Sequence, residues 1–316
     1  MAVEPVATST RRITVERPGA GRAKPGSHLD VEVTIGGRQD TRSYSVVESD
    51  EDGSRLTISV LRTAQSRGGS VFMHQLEVGD QLRVTQPLQN FPLRVGAPRY
   101  VLLAGGIGIT ALVEMARVLR RLQADYTMVY VARSADRMAY REELAELHGD
   151  RLQVRIDEEG SPLDVDQLLA DVAAGPAQTE LYMCGPIRLM DAVRRGWRDR
   201  GLPMHNLRFE TFGNSGWFDP EEFVVKVPRL GIEAVVGTDT TMLEALADAG
   251  ADLMYDCRKG ECGLCLVNVG AVEGALDHRD VFLSERQQAS GSQVCTCVSR
   301  AVSAPGQATR PTVTLA

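Results

Sequence analysis

Over the first ninety or so residues, hydrophobic and polar positions alternate in short runs, clearest at Leu29 to Ile35 and Arg55 to Leu61, with Gly, Asp and Pro turn signals between them. A period of two is the signature of strands with one buried face, so this stretch predicts an antiparallel barrel or sandwich. At Tyr100 the texture changes. Strand-like runs at Tyr100–Leu103, Tyr126–Val131, Leu152–Ile156 and Leu181–Met183 alternate with helical periodicity at Ala111–Leu122, Ala139–Leu147 and Ile187–Arg200, an order that predicts a parallel α/β sheet. The stretch Gly213 to Glu221 breaks this pattern and reads as a linker. Beyond it come strand-like Phe223–Val227 and Glu233–Val236, then a helix at Thr241–Ala249 with Asp239 or Thr240 as its N-cap.

A length of 316 residues exceeds what one hydrophobic core organises and predicts two or three domains. The composition, 43% hydrophobic and 24% charged with a net charge of −7, argues against a nucleic-acid partner held by a basic surface. The most apolar stretch, Tyr100 to Leu119, contains glycines, Glu114 and Arg117, so it reads as a buried strand entering a helix, and no membrane span is expected. Met1 to Thr10 have neither a basic n-region nor an apolar h-region, so a cytoplasmic location is expected.

The six cysteines cluster towards the C-terminus, which suits metal ligation better than a disulfide scaffold. Cys257, Cys262 and Cys265 form C-x4-C-x2-C, with Cys295 or Cys297 about thirty residues on. That spacing holds a [2Fe–2S] cluster on four thiolates, whereas zinc sites pair cysteines in two C-x2-C knuckles. The glycines within the loop let backbone N–H groups approach the sulfurs.

A one-electron centre does not account for the upstream two-thirds of the chain. The run from Val101 to Thr110 reads as a buried strand, a glycine turn (Gly105, Gly106, Gly108) and a helix start, the geometry in which a pyrophosphate meets exposed N–H groups. It lacks the full G-x-G-x-x-G fingerprint, and alone it is equally a tight turn. Cys184-Gly185-Pro186 closes another strand at the ligand-binding edge of the same sheet, where Cys184 is either a site residue or a small core residue. Arg42-Ser43-Tyr44-Ser45 offers a cation, an aromatic plane and a hydroxyl within one strand, the groups a flavin needs, and alone it is equally the composition of a surface strand. Arg67-Gly68-Gly69-Ser70 places bare backbone, an arginine and a candidate N-cap at a helix start, a phosphate cradle by the same logic, the alternative being a flexible hairpin loop followed by a capped helix.

Eight short motifs in this order, R-S-Y-S (42–45), S-R-G-G-S (66–70), G-G-I-G-I-T (105–110), C-G-P (184–186), E-T-F (210–212), the cysteine loop, D-H-R-D (277–280) and C-V-S-R (297–300), make the sequence resemble the phthalate dioxygenase reductase type of the ferredoxin–NADP reductase superfamily. The resemblance implies an antiparallel flavin-binding β-barrel at 1–96, a parallel α/β nucleotide-binding domain at 97–213, a linker at 214–221 and a β-grasp plant-type ferredoxin domain at 222–316. It implies FMN as the flavin, with Arg42 on its phosphate, Tyr44 along the ring, Ser45 near N5, and Arg67, Gly69 and Ser70 completing the phosphate site. Gly105, Gly106, Gly108 and Thr110 would face the nucleotide and the flavin edge, Cys184 and Gly185 the nicotinamide, and Phe212 the flavin face. The family's cysteine directly before a V-S-R triplet is Cys297 here, which makes Cys257, Cys262, Cys265 and Cys297 the cluster ligands. On an extended strand Cys295 would share a face with Cys297 about 6–7 Å away.

Two departures stand out. Only about ten residues precede Ile13–Glu16, where the family has an extra first strand, and Ala111 replaces the proline expected at a first helical position. The implied activity is hydride transfer from a reduced nicotinamide nucleotide to flavin, then single electrons through the cluster to a terminal oxygenase, Rieske-type or cytochrome P450. A stand-alone electron carrier is the alternative. Arg133 and Ser134, with Arg137 and Tyr140, suit a ribose hydroxyl or a 2′-phosphate; family habit points to NADH, with NADPH open. A monomer is expected.

Overall fold

The computed structural model describes residues 2–19, 21–64, 66–213 and 215–316. It divides into two compact units, one of Met1–Gly185 with Ala192–Glu210 and one of Pro186–Asp191 with Thr211–Ala316.

The first unit opens with strands β1 (Ala2–Ala7), β2 (Thr10–Glu16), β3 (Ser27–Ile35), β4 (Arg38–Ser49), β5 (Arg55–Leu61), helix α1 (Gly69–Gln75) and β6 (Leu88–Gln89). They form one six-stranded antiparallel sheet in the order β1-β2-β5-β4-β3-β6. The family's first strand is therefore present: five of the few residues available pair with β2, Ala2 facing Thr14 and Ala7 facing Thr10, with a bulge between Pro5 and Ala7. Leu29, Val31 and Val33 alternate along β3 and are wholly buried, and Ile13, Leu56, Ile58 and Met73 of α1 complete their core.

Next come β7 (Tyr100–Gly105), a 3-10 turn (Gly106–Ala111), α2 (Val113–Arg121), β8 (Tyr126–Ala132), α3 (Arg141–His148), β9 (Leu152–Ile156), α4 (Val165–Ala174), β10 (Glu180–Cys184), α5 (Ile187–Asp199) and β11 (Leu207–Glu210). The sheet is wholly parallel in the order β11-β10-β7-β8-β9. Central β7 is buried along its whole length, as a strand covered on both faces must be. Ala111 ends the 3-10 turn and α2 begins only at Val113, so alanine does not occupy the first α-helical position expected for it.

The buried carboxylate of Glu114 on α2 lies 3.1 Å from Arg22, 3.2 Å from Arg121 and 3.6 Å from Arg117. It ties α2 to the segment before β3. A cavity of about 510 Å³ lies among these charges, and none of the candidate site residues lines it.

The second unit contains β12 (Phe223–Val227), β13 (Ile232–Val236), α6 (Met242–Asp248), β14 (Leu266–Glu273), β15 (Ala275–Asp277), α7 (Glu285–Ser290), β16 (Gln293–Cys295), β17 (Arg300–Val302) and β18 (Thr312–Leu315). Its main sheet runs β13-β12-β18-β14-β16 with β12 and β18 parallel, and Met242 and Leu246 of α6 pack on Phe223, Val225 and Val313. A helix grasped by a mixed sheet is the expected β-grasp. The N-cap of α6 is Thr241, because only Thr241 has Glu244 at the position that closes a capping box; neither Asp239 nor Thr240 does so. Among the described residues no helix is long and apolar enough to cross a membrane.

Candidate functional site

The parallel pairing of β7 with β10 aligns Ala104 with Cys184, so two motifs far apart in sequence end side by side. This is where the strand order reverses, the crevice in which open α/β sheets hold ligands. Gly106 has φ +53° with open space beside it, and Gly105 is the last extended residue before the turn. A Cβ on Gly108 would lie 2.9 Å from the Gly185 nitrogen. Thr110 is buried and its hydroxyl donates to the Ile107 carbonyl at 2.9 Å, which fixes the turn. Cys184 is 1% exposed.

After β8, Arg133 is exposed and its carbonyl accepts the Glu158 N–H at 2.9 Å, while Ser134 hydrogen-bonds Asp136 and holds that carboxyl below the usual range. Arg137 is exposed as well. Tyr140 does not join this set. It is buried, with its hydroxyl on that of Ser59 and its ring 4.9 Å from the Arg12 guanidinium. Its φ of +65° turns it towards the first sheet, and a tyrosine so engaged cannot surround a ribose.

In the first sheet, Arg42 of β4 donates to Asp40 at 2.5 Å and to the carbonyls of Thr41 at 2.9 Å and Arg67 at 3.3 Å. A Cβ on Gly69 would sit 2.7 Å from Arg42 Cγ, so only glycine lets the start of α1 approach this arginine. Ser70 is not the N-cap. Gly68 holds that position with φ +85°, and no side chain caps the helix; the Ser70 hydroxyl instead donates to Ser66 at 2.8 Å. Uncapped first-turn N–H groups beside Arg42 fit a phosphate. Burial pushes the Tyr44 hydroxyl pKa up, against the pull of Arg42. Ser45 follows on the opposite side of the strand, and its hydroxyl is buried with no hydrogen-bond partner among the described residues. An orphaned buried hydroxyl fits a ligand polar atom better than a closed core.

In the second unit, Cys257 Sγ accepts the N–H groups of Lys259, Glu261 and Cys262, each at 3.4 Å. Burial raises its thiol pKa and these donors lower it. The thiols approach in pairs: Cys257 meets Cys262, and Cys265 lies 3.2 Å from Cys297. Among the described residues no three His, Cys, Asp or Glu side chains are grouped as ligands of one ion. Paired thiols with N–H groups aimed at sulfur fit a two-iron cluster. Contacts with the Cys295 and Cys297 thiols pull the Cys265 pKa down to about 3.

The extended geometry expected for 295–297 is not found. Strand β16 ends at Cys295, whose carbonyl accepts the N–H groups of Val298 at 3.3 Å and Ser299 at 3.1 Å. That tight turn places the thiols of Cys295 and Cys297 beside Cys265, with Cys297 Sγ 3.2 Å from Cys265 Sγ. Phe212 is half-buried in the same unit.

Sequence reasoning assigned no role to Arg300, which donates to the carbonyls of Thr240 at 2.8 Å, Glu221 at 3.1 Å and Gly237 at 2.6 Å. It missed Glu261 too, because a carboxylate inside a cysteine loop carries no distinguishing spacing.

Residues 2–92 match the oxidoreductase FAD-binding domain family, 102–195 the oxidoreductase NAD-binding domain family and 225–302 the 2Fe-2S iron-sulfur cluster binding domain family. The chain belongs to the phthalate dioxygenase reductase-type oxygenase reductases. Tetrachlorobenzoquinone reductase of Sphingobium chlorophenolicum is 37% identical over 90% of this chain and 88% of its own length. The structure of phthalate dioxygenase reductase, described as modular for electron transfer from pyridine nucleotides to [2Fe–2S], covers 99% of this chain and 95% of its own at a TM-score of 0.71 and 29% identity. An intact type IV self-sufficient cytochrome P450 monooxygenase matches 99% of this chain at 34% identity and a TM-score of 0.65; the chain spans 40% of that protein. This oxygenase reductase is thus an oxidoreductase with flavin-, nicotinamide-nucleotide- and [2Fe–2S]-binding domains.

Proposed function

We propose that this oxygenase reductase takes hydride from NADH onto FMN and delivers single electrons through its cluster to a separate terminal oxygenase, Rieske-type or cytochrome P450, as a cytoplasmic monomer. The convergence of Gly105–Gly108 on Cys184–Gly185 at the ends of β7 and β10 carries the reading, because a chain with only the thiol loop would be a carrier without a donor site. FMN is favoured over FAD by the compact phosphate site of Arg42, Arg67, Gly69 and Ser70 next to β4. The oxygenase partner follows from one-electron delivery and from the relatives' own names.

When bound, the flavin would supply the exchange of a two-electron hydride for single electrons. The chain's residues would bind and orient. Arg42 and the first turn of α1 would hold the phosphate, Tyr44 would lie along the ring and Ser45 would bond near N5. Gly105, Gly106 and Gly108 would let backbone meet the pyrophosphate, Thr110 would fix the turn, and Arg133 and Ser134 would take the ribose. Cys184 and Gly185 would face the nicotinamide, and Phe212 the flavin face. Cys257, Cys262, Cys265 and Cys297 would hold the cluster, with Cys297 favoured over Cys295 by the family's V-S-R register and by its 3.2 Å approach to Cys265. We take 1–96, 97–213 and 222–316 as the three functional domains and 214–221 as the linker.

Cofactor extraction and steady-state kinetics test this reading together. FMN and a higher kcat/KM with NADH are expected; recovery of FAD, or at least about tenfold higher kcat/KM with NADPH, would overturn those two assignments.

A further inference from the structure

Glu261 acts in two directions from within the cluster loop. Its N–H donates to Cys257 Sγ at 3.4 Å, and its carboxylate accepts the N–H of Thr211 at 2.7 Å. Thr211 is 3% exposed and its hydroxyl accepts the N–H of Gly213 at 3.1 Å, a short turn with Phe212 between the two. At the other end Gly213 has φ +66°, and a Cβ there would lie 3.0 Å from Lys259 Cα and 3.2 Å from Val298 Cγ1. The turn that carries Phe212 is therefore hydrogen-bonded at its Thr211 end to the loop between Cys257 and Cys262, and at its Gly213 end packs closely on that loop and on the residue after Cys297. A carboxylate accepting a backbone N–H makes a charge-assisted bond, stronger than a neutral one. Burial raises the pKa of this carboxyl while the Thr211 N–H lowers it.

We infer that Glu261 is a positioning residue that holds the Phe212 turn on the cluster loop, so that the order of that loop governs the placement of Phe212. Its functional half rests on the reading of Phe212 as the ring that covers the flavin. The carboxylate itself contributes no thiolate, so removing it should leave the cluster in place and loosen only residues 211–213.

The test uses the full holoenzyme with Glu261→Met, which keeps side-chain length but deletes the acceptor, Glu261→Gln, which restores an acceptor, and Phe212→Ala. In Glu261→Met, amide exchange of Thr211 should accelerate about tenfold and the rate of flavin bleaching by NADH should shift about fivefold in the direction Phe212→Ala shifts it, with cluster EPR unchanged. Glu261→Gln should restore both to within about twofold. Unchanged exchange in Glu261→Met would overturn the inference, as would unchanged bleaching where Phe212→Ala alters it. Normal bleaching in Phe212→Ala would instead overturn the reading of Phe212 itself, and with it the functional half.

Discussion

A Cβ on Gly108 would lie 2.1 Å from the carbonyl oxygen of Cys184. The glycine turn after β7 and the end of β10 are thus in direct backbone contact, closer than any side chain permits, and the candidate nucleotide edge depends on that approach. Gly108→Ala is expected to force the two strand ends apart, lower stability by about 1–3 kcal/mol as overpacked sites do, and raise KM for the nucleotide about tenfold. Denaturant midpoints and KM check it, and wild-type values for both would contradict it.

Arg42→Ala should weaken flavin retention about tenfold or more, since a hydrogen bond to a charged group contributes about 1.5–3 kcal/mol. The cluster spectrum should not change, because the thiols belong to the other unit. Flavin content after gel filtration decides, and full retention would count against the assignment.

Cys297→Ser is expected to abolish or strongly perturb the cluster's visible and EPR signals, whereas Cys295→Ser should leave them nearly intact. Both thiols lie beside Cys265, and Cys297, 3.2 Å from it, is the one that directly precedes the family's V-S-R triplet. The reverse pattern would make Cys295 the ligand.

His148 at the end of α3 is buried beside Tyr126, whose hydroxyl lies 2.6 Å from its Nδ1. Burial, then the charges of Arg120, Arg117 and Arg151, lower its pKa from 6.5 to about 4. The unfolded chain binds a proton here that the folded chain refuses, so stability present above pH 6.5 is lost as pH falls towards 4, about 1.5 kcal/mol of it between pH 6.5 and pH 5. His148→Leu should flatten that limb of the curve. Urea unfolding across this range measures it, and parallel curves for the two proteins would refute the assignment.

What could be read from the sequence was whatever is local. C-x4-C-x2-C fixes a thiol loop by spacing alone, and Leu29, Val31 and Val33 announce a buried strand face by alternation. The meeting of Gly108 with Cys184 was visible only as two separate motifs, since parallel register brings them together. Tyr140 misled because its residue type suits a ribose, and nothing local reveals a left-handed backbone that points it at Ser59. Cys295 and Cys297 misled because alternation presumes a strand, and Thr296 lies in a turn. Thr241 was readable, for Glu244 stands three residues on.

In the proposed function, electrons from NADH pass through flavin to the cluster within this one chain. Anaerobic titration of the holoprotein with NADH, followed by visible absorbance and EPR together, tests it most directly. Flavin bleaching accompanied by the signal of a reduced [2Fe–2S] centre, rising to about one spin per chain, is the expected result. Flavin that stays oxidised in the presence of NADH, or that bleaches while the cluster remains EPR-silent, would contradict it.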